Sequence, residues 1–231
     1  RAIKQLVNPK GYIVLEVPDC TRALENYDYT TLWEEHLLYF TPETFRRYFV
    51  FGGFSLMRLE CYPYPFENSL VAIAQPQEKI TPSFPQEGIL EIEKHRAQAY
   101  SQGLPKVRAK LKRFLSEYQL NQGKIALFGA GHLACAFINL LDLKDNIEFI
   151  VDDNPSKQGL FMPGSRLPIC ASDVLVKDNI KLCLLSLSLQ SEDKVIQNNG
   201  SFLEQGGTFL SIFPASKYAL YEFEQLYKVE N

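Results

Sequence analysis

Residues 12–17, "YIVLEV", form an apolar run of strand length closed by Pro18-Asp19, which predicts a buried β-strand. An aromatic-rich loop follows through Tyr27, Tyr29, Trp33 and Tyr39. Thr41-Pro42 places a hydroxyl at an N-cap and proline at the first helical position, so a helix begins there. Phe45, Tyr48 and Phe49 recur at helical spacing, and Gly52-Gly53 ends the run. Two further strands are expected in "FSLMRLE" and "SLVAIA". Residues 76–87 carry three prolines and no period, as a linker does. Residues 88–119 predict two helices broken at Gly103-Leu104-Pro105, the second with Val107, Leu111, Phe114 and Tyr118 on one face.

From residue 123 the pattern changes to strands alternating with helices. "KIALFG", "IEFIVD", "KLCLLSLS" and "TFLSIF" are the strands. "HLACAFINLL" and residues 191–205 are helical, and a last helix is expected over 215–228. Continuous apolar strands in such an alternation predict a parallel sheet covered on both faces. The expectation is therefore an α/β chain in three parts. Residues 1–76 are the last strands of a truncated Rossmann-like domain. Residues 77–120 are a linker and helical connector, and 121–231 are a complete Rossmann-like domain. "RAIKQLVNPKG" reads as the end of a helix and a turn, so the chain is expected to be cut from a longer polypeptide.

Composition narrows the function. A net charge of −3 over 231 residues gives no basic field for nucleic acid. No apolar run approaches the ~18–20 residues that span a bilayer. Cys20, Cys61, Cys135, Cys170 and Cys183 are scattered, without a Cys-x-x-Cys pair. That disfavours a zinc or redox site and fits buried thiols in a reducing cytoplasm. Lys106, Arg108, Lys110, Lys112 and Arg113 crowd one helix, either as a solvated face or as a patch that attracts phosphate.

"LFGAGHLA" sets Gly129-Ala130-Gly131 between a strand and a helix, with Ala134 completing G-x-G-x-x-A. Glycines at such a turn let a phosphate approach the backbone at the positive end of the helix. Asp152 follows 23 residues after Gly129, near the place where an acidic residue binds a ribose hydroxyl. His132 either caps the helix or touches a phosphate, or is an exposed residue without a partner. Gly129, Gly131 and Asp152 alone also fit an NAD-dependent oxidoreductase domain, although no residue is an evident hydride-transfer partner.

Several segments together resemble the sugar C-methyltransferase family. "GYIVLEVPD", "EEHLLYFTPETF", "GGFSLMRLE" and "NSLVAIA" are similar to the later part of its methyltransferase domain. "LFGAGHLACAF" and "FIVDDNPSKQGLFMPGSRLPI" are similar to its C-terminal domain. The likeness runs in order from about residue 10 to 213. It implies an S-adenosylmethionine (SAM)-dependent C-methyltransferase acting on a nucleotide-linked keto-deoxysugar. It also implies a SAM turn and a zinc-binding domain upstream of this chain, so this fragment alone would be inactive and would hold no zinc. By the same resemblance, Gly129, Gly131, His132, Asp152 and Lys157 would bind the substrate.

The family's catalytic Tyr-x-Glu-His stretch falls on residues 33–36. His36 would be the base that removes a proton beside the ketone, and Glu35 the carboxylate that orients it. Trp33 stands at the tyrosine position, and an indole N–H cannot give up a proton as a phenol does. Glu67-Asn68-Ser69 replaces the family's Gly-Gly-Ser, and Leu133 a lysine often present in its G-A-x-x-K turn. The alternative that follows is a nucleotide-sugar-binding module without methyltransferase activity.

Overall fold

The computed structural model describes residues 2–32, 36–65, 67–77 and 87–220. They divide into two units. One holds residues up to 28 and from 36 to 101; the other holds 29–32 and those from 102 onward.

The first unit contains helix α1 (Ala2–Leu6), strand β1 (Ile13–Asp19), helices α2 (Thr21–Glu25) and α3 (Pro42–Gly52), and strands β2 (Phe54–Tyr62) and β3 (Asn68–Pro76). The sheet order is β1-β3-β2, antiparallel throughout. β1 is therefore an edge strand among the described residues, which accommodates Pro18. Leu70, Ala72 and Ala74 alternate along β3 into a core with Phe45 and Phe49 of α3 and Phe54 of β2. The predicted helix start is real. Thr41 Oγ1 accepts from the Thr44 N–H, and Thr44 Oγ1 accepts from the Thr41 N–H. Gly53 closes the helix at φ 77°.

Helix α4 (Glu87–Asn121) corrects the expectation of two helices: it is continuous through Pro105. An internal proline costs about 3 kcal/mol. Val107, Leu111 and Leu115 are fully buried one turn apart, and each such side chain contributes about 1.5–3 kcal/mol. The stripe outweighs the proline.

The second unit adds β4 (Ile125–Phe128), α5 (His132–Leu140), β5 (Ile150–Val151), β6 (Ile169–Cys170), α6 (Val174–Lys177), β7 (Leu182–Leu185), α7 (Leu189–Asn198), α8 (Gly200–Glu204) and β8 (Thr208–Ser211). Its sheet is parallel, in the order β6-β5-β4-β7-β8. This is the expected Rossmann-like arrangement. Ala126, Phe128, Cys183 and Leu185 enter one core with Phe202 and Phe209. Ile125, Leu127, Leu182 and Leu184, alternating with them, are also fully buried. Both faces are covered.

Three details differ from the sequence expectation. β6 is an additional strand, only two residues long and preceded by Pro168, too short to show a period. The 191–205 helix is two helices, because the Asn199 side chain takes the Val195 carbonyl that a continuing helix would use. Residues 215–220 are turns rather than the start of a helix, and 221–228 lie outside the described residues. No helix among the described residues is long and apolar enough to cross a membrane. All five cysteines are unpaired, Cys61 being exposed rather than buried.

Candidate functional site

The second unit's topology reverses at β4. The chain passes from β4 to β5 and β6 on one side, then crosses to β7 and β8 on the other. Ligands of open α/β sheets bind beyond the strand ends at such a reversal. The Gly129-Ala130-Gly131 turn sits there. Gly129 has φ 107°, and a Cβ on it would lie 2.5 Å from the Ser186 carbonyl oxygen. Its N–H donates to the Val151 carbonyl at 2.7 Å.

Two predicted residues clasp the turn itself. Asp152 Oδ2 accepts from the Ala130 N–H at 2.9 Å and from Lys157 Nζ at 2.9 Å. Lys157 Nζ also donates to the Ala130 carbonyl at 3.0 Å. Asp152 Oδ1 accepts from the Asn154 N–H at 2.9 Å. Burial alone would raise the Asp152 carboxyl. The bonds from Asn154, Lys157 and Ala130 outweigh it and hold the group below the usual carboxylate range. The carboxylate that sequence spacing assigns to a ribose thus faces the turn's own backbone.

The clasp fixes Gly131 as the N-cap of α5, with φ −117°. Nothing lies within 4 Å of where its Cβ would stand. The first-turn N–H groups of a helix have no partner within it, so this open end suits an anion. His132 is not the partnerless residue considered from sequence: its Nε2 is 3.2 Å from the Leu32 carbonyl oxygen and donates to it. Of the basic run, Arg108 donates to the Leu140 carbonyl, Lys112 pairs with Asp142 at 2.7 Å, and Arg113 lies 3.9 Å from Glu117. These three are engaged as structural and surface pairs.

His36 belongs to the first unit. Trp33 and Glu35 lie outside the described residues. The end of β1 organises the His36 segment: Asp19 bridges Phe40, and the Cys20 N–H donates to the Phe40 carbonyl at 2.8 Å. The His36 ring is half-buried and meets Tyr39 edge-on, with centroids 6.0 Å apart. Asp19, 5% exposed, accepts from the Thr21 N–H and hydroxyl at 3.0 and 2.5 Å and from Asn68 Nδ2 at 3.3 Å. Arg22 donates to the Tyr64 carbonyl and to Asn68 Oδ1. Glu67 completes the corner. Burial raises its carboxyl, His36 and Arg22 lower it, and Asp28 and Asp19 raise it further. Sequence reasoning noted Glu67 only as a departure from the family's Gly-Gly-Ser. Its ionisable side chain at the mouth of a strand was the signal available.

Comparison with known proteins places these features in context. Residues 70–214 match a family model described as a C-methyltransferase C-terminal domain. C-methyltransferase NovU of Streptomyces niveus is 25% identical over 223 residues, which cover 92% of this chain and 52% of NovU. The chain thus spans about half the length of this curated relative.

Proposed function

The chain belongs to the C-methyltransferase C-terminal domain family, and on that premise we propose that it is the later part of a SAM-dependent C-methyltransferase acting on a nucleotide-linked keto-deoxysugar. Residues 1–76 are the last strands of the methyltransferase domain, 77–120 the connector, and 121–231 the nucleotide-sugar-binding domain. The observation that carries this reading is the family match, which runs from β3 through the whole parallel sheet.

Methyltransferases of this kind draw the methyl group from SAM. The described residues of the first unit do not fit that donor. Its strand-to-helix turn, Asp19-Cys20-Thr21, has no glycine, and Asp19 is engaged by Thr21 and Asn68. The donor is held by another part of the protein. What this chain supplies is proton handling and substrate binding. His36 removes the proton beside the ketone, as a positioned histidine general base does. Gly131 and the α5 N-terminus hold the diphosphate, Gly129 lets the turn pack against the end of β7, Asp152 and Lys157 lock the turn, and His132 fixes the start of α5. The enzyme is cytoplasmic, in keeping with five unpaired cysteines. A dinucleotide site is less well supported, because Asp152 is committed to Ala130 and Lys157.

The test is transfer of labelled methyl from SAM to a nucleotide-linked ketosugar. The complete protein is expected to incorporate label and this chain alone none. Incorporation by neither, over a panel of such sugars, overturns the reading.

A further inference from the structure

Four buried side-chain atoms have no hydrogen-bond partner among the described residues: Arg47 Nη2, Asn146 Oδ1, Glu192 Oε1 and Ser186 Oγ. Three belong to side chains bonded through another atom. Arg47 Nε meets Glu43, Asn146 Nδ2 meets Ser116 and Gln119, and Glu192 Oε2 accepts from Ser216. Ser186 has only its hydroxyl, and the residue is 7% exposed. Its place is the C-terminal end of β7, where the sheet order reverses. The Ser186 N–H donates to the Phe128 carbonyl at 2.9 Å, so the ladder of β4 and β7 still holds there. Leu185 and its partner Phe128 enter the core that includes Val195 and Ile196 of α7 and Phe202 of α8. The buried residues of α5, Ala134, Phe137 and Ile138 among them, are not in that core. Helix α5 therefore covers the opposite face of the sheet. Successive strand residues alternate between faces, so the Ser186 hydroxyl points to the α5 side, beneath the turn that opens that helix. Gly129 puts no side chain between them, since a Cβ there would lie 2.5 Å from the Ser186 carbonyl oxygen.

We propose that Ser186 is a further substrate-binding residue, its hydroxyl donating a hydrogen bond to a phosphoryl oxygen of the nucleoside diphosphate held at the α5 N-terminus. This rests on the reading of that turn as the diphosphate site. A serine hydroxyl carries one donor that rotates to suit its partner. Left unmade in a buried position, that bond costs stability, and made to a charged oxygen it is among the stronger kinds. The N–H groups of the first turn of α5 have no partner within the helix, and the space at Gly131 is open. An anion there meets backbone donors from α5 and a side-chain donor from β7. The site is thus built from both sides of the strand reversal.

Thermal unfolding and dTDP titration of Ser186→Ala test the assignment with two readouts of opposite sign. Without ligand, the variant is expected to unfold at the parent temperature or above it, because it loses an unpaired polar group. Its affinity for dTDP is expected to fall by about 10–100-fold, the loss of one hydrogen bond to a charged acceptor. Ser186→Cys keeps a weak donor and should bind between the two. A hydroxyl with a purely structural role gives the reverse pattern: Ser186→Ala then unfolds at a lower temperature and binds dTDP as the parent does. That pattern, or unchanged dTDP affinity in both variants, overturns the proposal and leaves the diphosphate site standing. A parent chain that does not bind dTDP overturns the site itself, and the role of Ser186 with it.

Discussion

His36→Ala in the complete protein is expected to lower turnover by about 10²–10⁴-fold, the usual contribution of a positioned general base. The proton beside a ketone must leave before the carbon can attack a sulfonium methyl. With the base removed, exchange of that proton for deuterium should fall in parallel with methyl transfer. Affinity for the nucleotide-sugar should hold within about twofold, because the proposed binding turn belongs to the second unit and His36 to the first. The ring is half-buried in a loop and meets Tyr39 at its edge, so truncation removes little packing. Solvent-exchange NMR of the substrate, with and without the methyl donor, separates the two steps. Exchange at the parent rate in His36→Ala would show that another group is the base.

Gly129→Ala is expected to destabilise the second unit by about 2–6 kcal/mol. Two costs combine. The φ of 107° is outside the region an alanine adopts easily, a strain of about 1–3 kcal/mol. The added methyl would also meet the Ser186 carbonyl oxygen at 2.5 Å and Leu187 Cδ2 at 3.0 Å, and overpacking of this sort costs about 1–3 kcal/mol. The first obstacle is backbone at the end of β7, so it cannot swing aside. Thermal unfolding should shift down by about 10 °C or more. Gly131→Ala is the control. Its φ is −117° and nothing stands within 4 Å of the new methyl. That variant should fold as the parent does, yet bind a diphosphate less tightly, because the methyl occupies the space the anion approaches. Equal stability of the two alanine variants would contradict this assignment of the turn.

The parts of the fold legible in the sequence are those fixed by local signals. Thr41-Pro42 specified a helix start because an N-cap hydroxyl and a proline act over one turn. The apolar runs of β4 and β7 were plain because strands buried on both faces have no polar positions. Pro105 misled because its cost is local, whereas the burial of Val107, Leu111 and Leu115 that overrides it is tertiary. β6 could not be read, since two residues carry no period.

The site divides along the same line. Gly129, Gly131, Asp152 and Lys157 were singled out in the sequence, and the structure sets them around one turn. What spacing could not give was direction: the Asp152 carboxylate faces Ala130 and Lys157. The Glu67 corner depends on a ladder partner of β1 and a bridge to Phe40, contacts between residues far apart in sequence.

Calorimetric titration of this chain tests the central claim most directly, since the proposed binding turn lies wholly within the second unit. A dTDP-linked sugar, or dTDP itself, is predicted to bind, with Gly131→Ala weakening it, while NAD and SAM give no heat above dilution. Binding of NAD in place of the nucleotide-sugar would contradict the account.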